Sequence, residues 1–348
     1  MKKKILVSLL AAYSVSTLAM TSDKQVMLSS NPVPLTTAVS EEFYQFSSSV
    51  PSPDVDALQI NIPATKSEWL QFVESKDTAA QERALGLAEH LGTSIEKGVI
   101  AGVDVYWLTP KVVAPDMKDK LFISVQGGAY MLNSGYASIT EGLVIATHLQ
   151  VPVLAIDYGK APNFPAPAGR NDIVNVWKEL IQERSAESMV MGGTSAGATL
   201  SVLTVQELNK QNIEIPAALY IGTPSVDMTM TGDSRYINEG LDHVLGSWRG
   251  LAESMVEQYV GELELSDPLV SPINGSFDNF PPSYLITGTR DLLLSDTIRL
   301  DRELKRAGVA TELNVYEGQS HADYLLGLGT PESTEHYQAL SRFMRTYL

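Results

Sequence analysis

From about residue 99 onward, short apolar runs alternate with longer segments whose apolar residues recur every three or four positions. Val99–Trp107, Leu121–Val125, Val151–Ile156, Met189–Met191, Ala217–Ile221, Tyr284–Thr287 and Thr311–Tyr316 predict strands. Several are apolar throughout, the pattern of strands covered on both faces. Between them, Ile173, Val176, Trp177, Leu180 and Ile181 form the apolar face of a helix. Thr297–Ala307 predicts another, with Asp296 as its N-cap, Asp301 and Lys305 as an i,i+4 pair, and Gly308 as its stop. Alternating strands and helices predict an α/β fold: a mostly parallel central sheet with helices on both faces. Residues 225–262 interrupt this rhythm with helical segments only, among them Trp248–Tyr259, and read as an insertion.

The N-terminal part has a different texture. Lys2, Lys3 and Lys4 precede a largely apolar stretch, Ile5 to Leu18, and Thr17-Leu18-Ala19 fits a small-x-small cleavage site. Residues 1–19 therefore predict a signal peptide and a secreted or periplasmic product. The apolar run is too short to span a bilayer comfortably, so no stable membrane insertion is expected once it is removed. Residues 20–60 are rich in Ser, Pro and Thr and hold Phe43, Tyr44 and Phe46, aromatics suited to docking over an apolar pocket. Lys76–Glu96 predicts a helix, with Thr78-x-x-Gln81 as capping box and Ala84, Leu87, Ala88 and Leu91 as stripe. Residues 20–98 are thus expected to be helical, without strands, and residues 99–348 to form the main domain.

Composition narrows the chemistry. The 348 residues carry a formal charge of −16, which opposes nucleic acid or an anionic membrane as partner. There is no cysteine, which excludes disulfides, thiol catalysis and cysteine-based metal sites. No metal-spaced histidine cluster and no glycine-rich phosphate loop is present, so neither metal nor cofactor is expected.

One stretch concentrates the candidate chemistry. Met189, Val190 and Met191 lead into Gly193-Thr-Ser-Ala-Gly197, and a helical pattern follows from Ala196. A strand running through G-x-S-x-G into a helix is the nucleophile-elbow signature: the turn exposes the Ser195 hydroxyl, and the glycines leave room where strand and helix crowd. A serine hydroxyl needs a base, and the base needs a carboxylate to orient it. His90, His148 and His336 lie on helical patterns and His243 in the insertion, whereas His321 follows the last predicted strand on a loop. Asp291 ends another strand in Thr287-Gly-Thr-Arg-Asp291. Asp296, Glu317 and Asp323 are alternative acids. After Leu121–Val125, the small residues of Gln126-Gly127-Gly128-Ala129 open a loop that can aim backbone N–H groups at a developing oxyanion.

Taken together, these segments resemble the hormone-sensitive-lipase-like α/β-hydrolases, a family of carboxylesterases. Gln126-Gly-Gly-Ala129 is similar to the family's HGGG-type loop and Gly193–Gly197 to its GTSAG subgroup. Asp157-Tyr-Gly-Lys-Ala-Pro162 with Phe164-Pro165, Asp267-Pro-Leu-Val-Ser-Pro272, Gly288-Thr-Arg-Asp291 and His321 fall in the family's order. The resemblance implies Ser195 as nucleophile, Asp291 as acid, His321 as base, and the N–H groups of Gly128, Ala129 and Ala196 as oxyanion hole. It also implies a helical cap made from residues 20–98 and 225–262. Gln126 stands where the family usually has histidine, and Gly318-Gln-Ser-His321 where it usually has Gly-Met-x-His. The activity implied is hydrolysis of short acyl esters of small molecules without cofactor. A peptidase or amidase on the same fold, and a non-catalytic binding relative, are the alternatives.

Overall fold

The computed structural model of the chain describes residues 33–60 and 62–348. The expected signal peptide, residues 1–19, lies outside the described residues, as does the leader up to residue 32. Helix α1 (Glu41–Ser49) starts at Ser40, whose hydroxyl accepts from the Phe43 N–H. Helix α2 spans Lys66–Leu91, ten residues upstream of the expected start at Lys76. A different capping box decides this: Glu68 N donates to Thr65 Oγ1 at 3.3 Å, and Thr65 N donates to Glu68 Oε2 at 2.9 Å. Thr78 sits inside the helix, its hydroxyl donating to the Glu74 carbonyl, and Gly92 ends the helix in the left-handed conformation.

The apolar run expected as one strand from Val99 is two: β1 (Ser94–Ile100) and β2 (Val103–Thr109). Ala101 and Gly102 both have positive φ and make a two-residue hairpin turn, with Ile100 opposite Val103. The expected boundary between residues 98 and 99 therefore falls inside a strand. β1 is an edge strand of mixed polarity, so its apolar pattern is weak.

The remaining strands and helices follow in chain order: β3 (Leu121–Val125), α3 (Thr140–Leu149), β4 (Val153–Asp157), α4 (Ala168–Glu183), β5 (Met189–Thr194), α5 (Ala196–Lys210) and β6 (Ala218–Gly222). Then come α6 (Ser234–Ile237), α7 (Leu251–Val260), β7 (Ser283–Gly288), α8 (Leu294–Arg306), β8 (Thr311–Tyr316), α9 (Asp323–Leu326) and α10 (Pro331–Tyr347). They build one eight-stranded sheet of order β1-β2-β4-β3-β5-β6-β7-β8. β1–β2 and β2–β4 pair antiparallel and every other pair is parallel. The sheet is thus mostly parallel with helices on both faces, as expected.

Alternation along the strands feeds two core layers. Leu121, Ile123 and Val125 of β3 join one layer with Ile173, Val176 and Trp177 of α4, Val202 of α5, and Leu300 and Leu304 of α8. Phe122 points the other way, into a layer with Leu143 and Ile145 of α3, Leu340 and Phe343 of α10, and Ala84 and Ala88 of α2. Trp177 is fully buried and donates Nε1–H to the Glu214 carbonyl at 2.8 Å, so its one polar group is satisfied.

Helix α8 begins at Leu294 rather than Thr297, and Asp296 lies in its first turn rather than at its N-cap. The Asp296 carboxylate is engaged elsewhere: it pairs with buried Arg235 at 2.8 Å and accepts from Val226 N at 2.9 Å. Arg235 in turn lies over the Trp248 ring at 3.7 Å, so the Arg235–Asp296 pair ties residues 225–262 to α8. Successive strands are laid to one side of β3 as far as β4 and to its other side from β5 onward, so the carboxyl ends of β3 and β5 flank the crevice where ligands gather in open α/β sheets. No described helix is long and apolar enough to cross a membrane.

Candidate active site

Ser195 stands between β5 and α5 with φ 60° and ψ −124°, a strained conformation for a residue with a side chain. Its N–H donates to the Gly222 carbonyl at 2.7 Å, which pins the turn to the end of β6. The two motif glycines are explained by β3: a Cβ on Gly193 or on Gly197 would collide with the Val125 carbonyl oxygen. Only glycine lets the elbow press against the strand that launches the Gln126–Ala129 loop. The hydroxyl is consequently held at the carboxyl edge of the sheet, half-buried.

Asp291 and His321, at the ends of β7 and β8, are brought together. His321 Nδ1 lies 3.2 Å from Asp291 Oδ1, and both side chains are buried. Asp291 also accepts from Leu293 N at 2.8 Å, from Thr287 Oγ1 at 2.9 Å and from Thr223 Oγ1. Burial pushes the Asp291 carboxyl up, but the His321 charge and these hydrogen bonds hold it below its ordinary value. The alternative acids are placed elsewhere. Asp296 pairs with Arg235, Glu317 is exposed, and Asp323 binds His243.

The loop after β3 is braced from several sides. Gly128, Ala129 and Tyr130 all have positive φ, so the backbone turns sharply away from the sheet. No hydrogen bond among the described residues uses the N–H of Gly128, Ala129 or Ala196. Gln126 is buried; with its amide oriented to suit both neighbours it donates to the Ile156 carbonyl at 2.7 Å and accepts from Lys160 Nζ at 3.0 Å. Lys160 pairs with Asp157 at 2.5 Å, and Asp157 accepts from Gly135 N at 2.7 Å. Asn133 Nδ2 donates to the Gly127 carbonyl at 3.0 Å, while Asp77 of α2 accepts from Asn133 N at 2.7 Å and Ser134 N at 3.0 Å. The glutamine in place of the family's histidine thus takes a bracing position through a lysine and a carboxylate.

Glu141 and Asp242 escaped the sequence reading, and His243 was set aside there as lying in the insertion. Glu141 of α3 is buried behind Ser195 and accepts from Thr194 N at 3.0 Å and Thr194 Oγ1 at 2.5 Å. Burial pushes its carboxyl up to about 7. Asp242 and His243, from the segment between β6 and α7, reach the loops that carry Asp291 and His321. Thr140-Glu141 reads as an ordinary helix start, and Asp242-His243 has no periodic context; no pattern signal marks either.

Ser195 and His321 open on one cavity of about 720 Å³. Its wall is mainly apolar: Leu58, Leu87 of α2, Leu251 and Met255 of α7, and Leu326 of α9 contribute, with Gly127 to Ala129 at the serine end. Phe43, Tyr44 and Phe46 do not line it. Phe46 instead meets the His243 ring edge-on at 6.1 Å, and Phe43 packs against Phe46.

The model of a family with the α/β-hydrolase fold matches residues 122–325. An esterase of known crystal structure is 41% identical, covers 94% of this chain and 100% of its own, and superposes with a TM-score of 0.91. The chain belongs to the α/β-hydrolase family. Within it, the chain is a carboxylic-ester hydrolase, and an esterase from the bacterial hormone-sensitive lipase family, 24% identical with a TM-score of 0.69, shares its fold. An esterase of Acinetobacter venetianus is 26% identical over 228 residues, 64% of this chain and 74% of that protein. An acetyl-hydrolase of Streptomyces hygroscopicus is 25% identical over 246 residues, 70% of this chain and 82% of that protein.

Proposed function

We propose that the chain is an exported serine carboxylesterase that cleaves short-chain acyl esters through an acyl-enzyme on Ser195. The observation that carries this reading is the paired Asp291 and His321 opening on the same cavity as Ser195 at its strained turn. His321 Nε2 takes the Ser195 proton as Oγ attacks the ester carbonyl, while Asp291 holds Nδ1–H and favours the imidazolium. The N–H groups of Gly128, Ala129 and Ala196, which have no other partner among the described residues, receive the developing oxyanion. The tetrahedral species collapses as His321 returns the proton to the leaving alcohol. Water, deprotonated by the same nitrogen, then attacks the acyl-enzyme and frees the acid. The acetyl-hydrolase among its relatives supports a small acyl group.

A fluorophosphonate probe followed by peptide mapping tests the assignment: the adduct belongs on Ser195, and an adduct elsewhere overturns it. Ser195→Ala and His321→Ala are each expected to lower ester turnover by about 10⁴-fold or more, with the double variant little worse, because triad members act as a unit. Turnover of a matched ester and amide separates esterase from amidase. Export is read from the Lys2–Ala19 pattern, and N-terminal sequencing of the mature protein is expected to begin near residue 20. An intact Met1 in a membrane fraction contradicts it.

A further inference from the structure

We propose that Asp242 and His243, neighbours in the segment between β6 and α7, are one positioning device for both the acid and the base. The inference rests on the roles assigned above to Asp291 and His321. Those two residues stand on irregular loops beyond β7 and β8, and the sheet alone does not orient their side chains. The Asp242–His243 turn grips both loops at once.

Asp242 is fully buried. Its Oδ2 accepts from Leu292 N, the residue after Asp291, at 2.9 Å. Its Oδ1 accepts from Val244 N at 2.9 Å and Leu245 N at 3.1 Å, closing its own turn, and from His321 N at 3.4 Å. Asn238 completes the hold on the acid's turn, donating to the Asp291 carbonyl at 2.8 Å and the Thr289 carbonyl at 3.2 Å.

His243 grips the residues on either side of the base. Its Nε2 lies 2.8 Å from Asp323 Oδ1 and its Nδ1 3.1 Å from Ser320 Oγ. A carboxylate only accepts, so Nε2 carries the proton and Nδ1 accepts from the serine hydroxyl. The His243 N–H donates back to Ser320 Oγ at 3.2 Å, and Ser320 N donates to Asp323 Oδ2 at 2.7 Å. Every polar atom of the knot is used, which is how a short polar network fixes one conformation. Val244 and Leu245 line the cavity, so the same turn touches both substrate and machinery.

Asp242 also acts through its charge. Three carboxylates bear on the His321 imidazole, Asp291 most strongly, then Asp242 and Asp323. A carboxylate at this place favours the imidazolium that forms as Ser195 loses its proton. Asp242→Asn keeps an acceptor for the 243–245 turn. It removes the charge and sets an N–H₂ group against the Leu292 N–H.

The full-length chain is assayed on p-nitrophenyl acetate as wild type, Asp242→Asn, His243→Ala and His243→Gln, with thermal unfolding to confirm folding. Asp242→Asn is expected to lower kcat roughly tenfold or more with KM unchanged, the scale of a small misplacement of reacting groups. It is also expected to move the acid limb of kcat/KM to lower pH, which a purely structural role leaves in place. His243→Ala is expected to lower kcat, and His243→Gln to restore most of it, because glutamine donates to Asp323 and accepts from Ser320. A folded Asp242→Asn with the wild-type acid limb overturns the proposal, as does a His243→Ala with wild-type kcat. If Asp242→Asn does not fold, the His243 pair decides, and a glutamine variant no better than alanine counts against it. Failure of the triad itself is distinguishable, because Ser195→Ala would then retain activity.

Discussion

His321 is buried among carboxylates, and burial and charge pull its pKa in opposite directions. Burial lowers it; the charge and hydrogen bond of Asp291, with Asp242 and Asp323 behind, raise it, and the net shift is upward from the ordinary value of 6.5. The base must be neutral to accept a proton, so kcat/KM on an uncharged ester is expected to fall with decreasing pH through a value above 6.5. An acid limb below 6.5 means burial outweighs the carboxylates. Glu141 works with the opposite consequence. Its carboxyl is pushed up by burial from 4.5 to about 7, so the folded protein holds a proton that the unfolded chain has already lost between those values. Stability from this group is therefore present below pH 4.5 and declines as pH rises to about 7. The loss is at most about 3 kcal/mol, the product of the shift and 1.36 kcal/mol per unit. Glu141→Gln keeps an acceptor for Thr194 and has no charge to bury. In denaturant titrations it is expected to gain on the wild type from pH 5 to about pH 7 and to level off above that, and a constant difference from pH 5 to pH 7 contradicts the account.

The element that sets the oxyanion geometry is the loop from Gln126 to Gly135. Its donors are backbone groups, but its shape depends on side chains from β4, α2 and the segment after β4. Gln126→Ala removes the amide that joins Ile156 to Lys160, and with it part of the path to Asp157 and Gly135. The expected result is a looser loop and a lower kcat. Ala129→Pro deletes one proposed donor outright, and loss of a single donor typically costs about 10²–10³ in kcat. With both variants shown to be folded, the proline variant is expected to be the more damaged. The reverse order makes the Gln126 side chain the working group and removes the backbone assignment. Element boundaries show what sequence conveys and what it does not. Leu121–Val125 was legible to the residue as an apolar run between Lys120 and Gln126, and Thr311–Tyr316 as an alternation of Leu313 and Val315 with polar residues between Gly308 and Gly318. The start of α2 was not, because two capping boxes offer themselves in the same polar stretch and the burial of Trp69 favours the earlier one.

At the scale of the whole molecule, local pattern marks the sheet and the residues at its carboxyl edge, while the contacts that bind the neighbouring segments to that edge carry no such mark. Ser195, Asp291 and His321 each follow a strand and a glycine, so local pattern marks them. Asp242, His243, Asp77 and Glu141 act through partners that only the fold brings near, and no local spacing announces them. The N-terminal segment is the clearest case. Ser40 donates through both N–H and Oγ to the Glu332 carboxylate of α10, at 2.7 Å each, so the first described helix is tied to the last. That places Phe46 against His243, with Phe43 packed behind it, rather than on the cavity wall, and overturns the expectation that they cover the acyl pocket. Leu58, further along the same segment, does face the cavity. The two positions therefore separate support from selectivity. Phe46→Ala leaves the cavity wall intact and removes the ring that backs His243, so it is expected to lower kcat equally for all esters of a p-nitrophenyl acyl series. Leu58→Ala widens the cavity by the volume of the lost side chain, so it is expected to shift the ratio of kcat/KM between short and longer chains with little change for acetate. Thermal unfolding of both variants guards against simple destabilisation, since each truncation of a packed apolar side chain costs roughly 1–3 kcal/mol. A changed chain-length ratio in Phe46→Ala with an unchanged one in Leu58→Ala would return the aromatic cluster to the substrate wall.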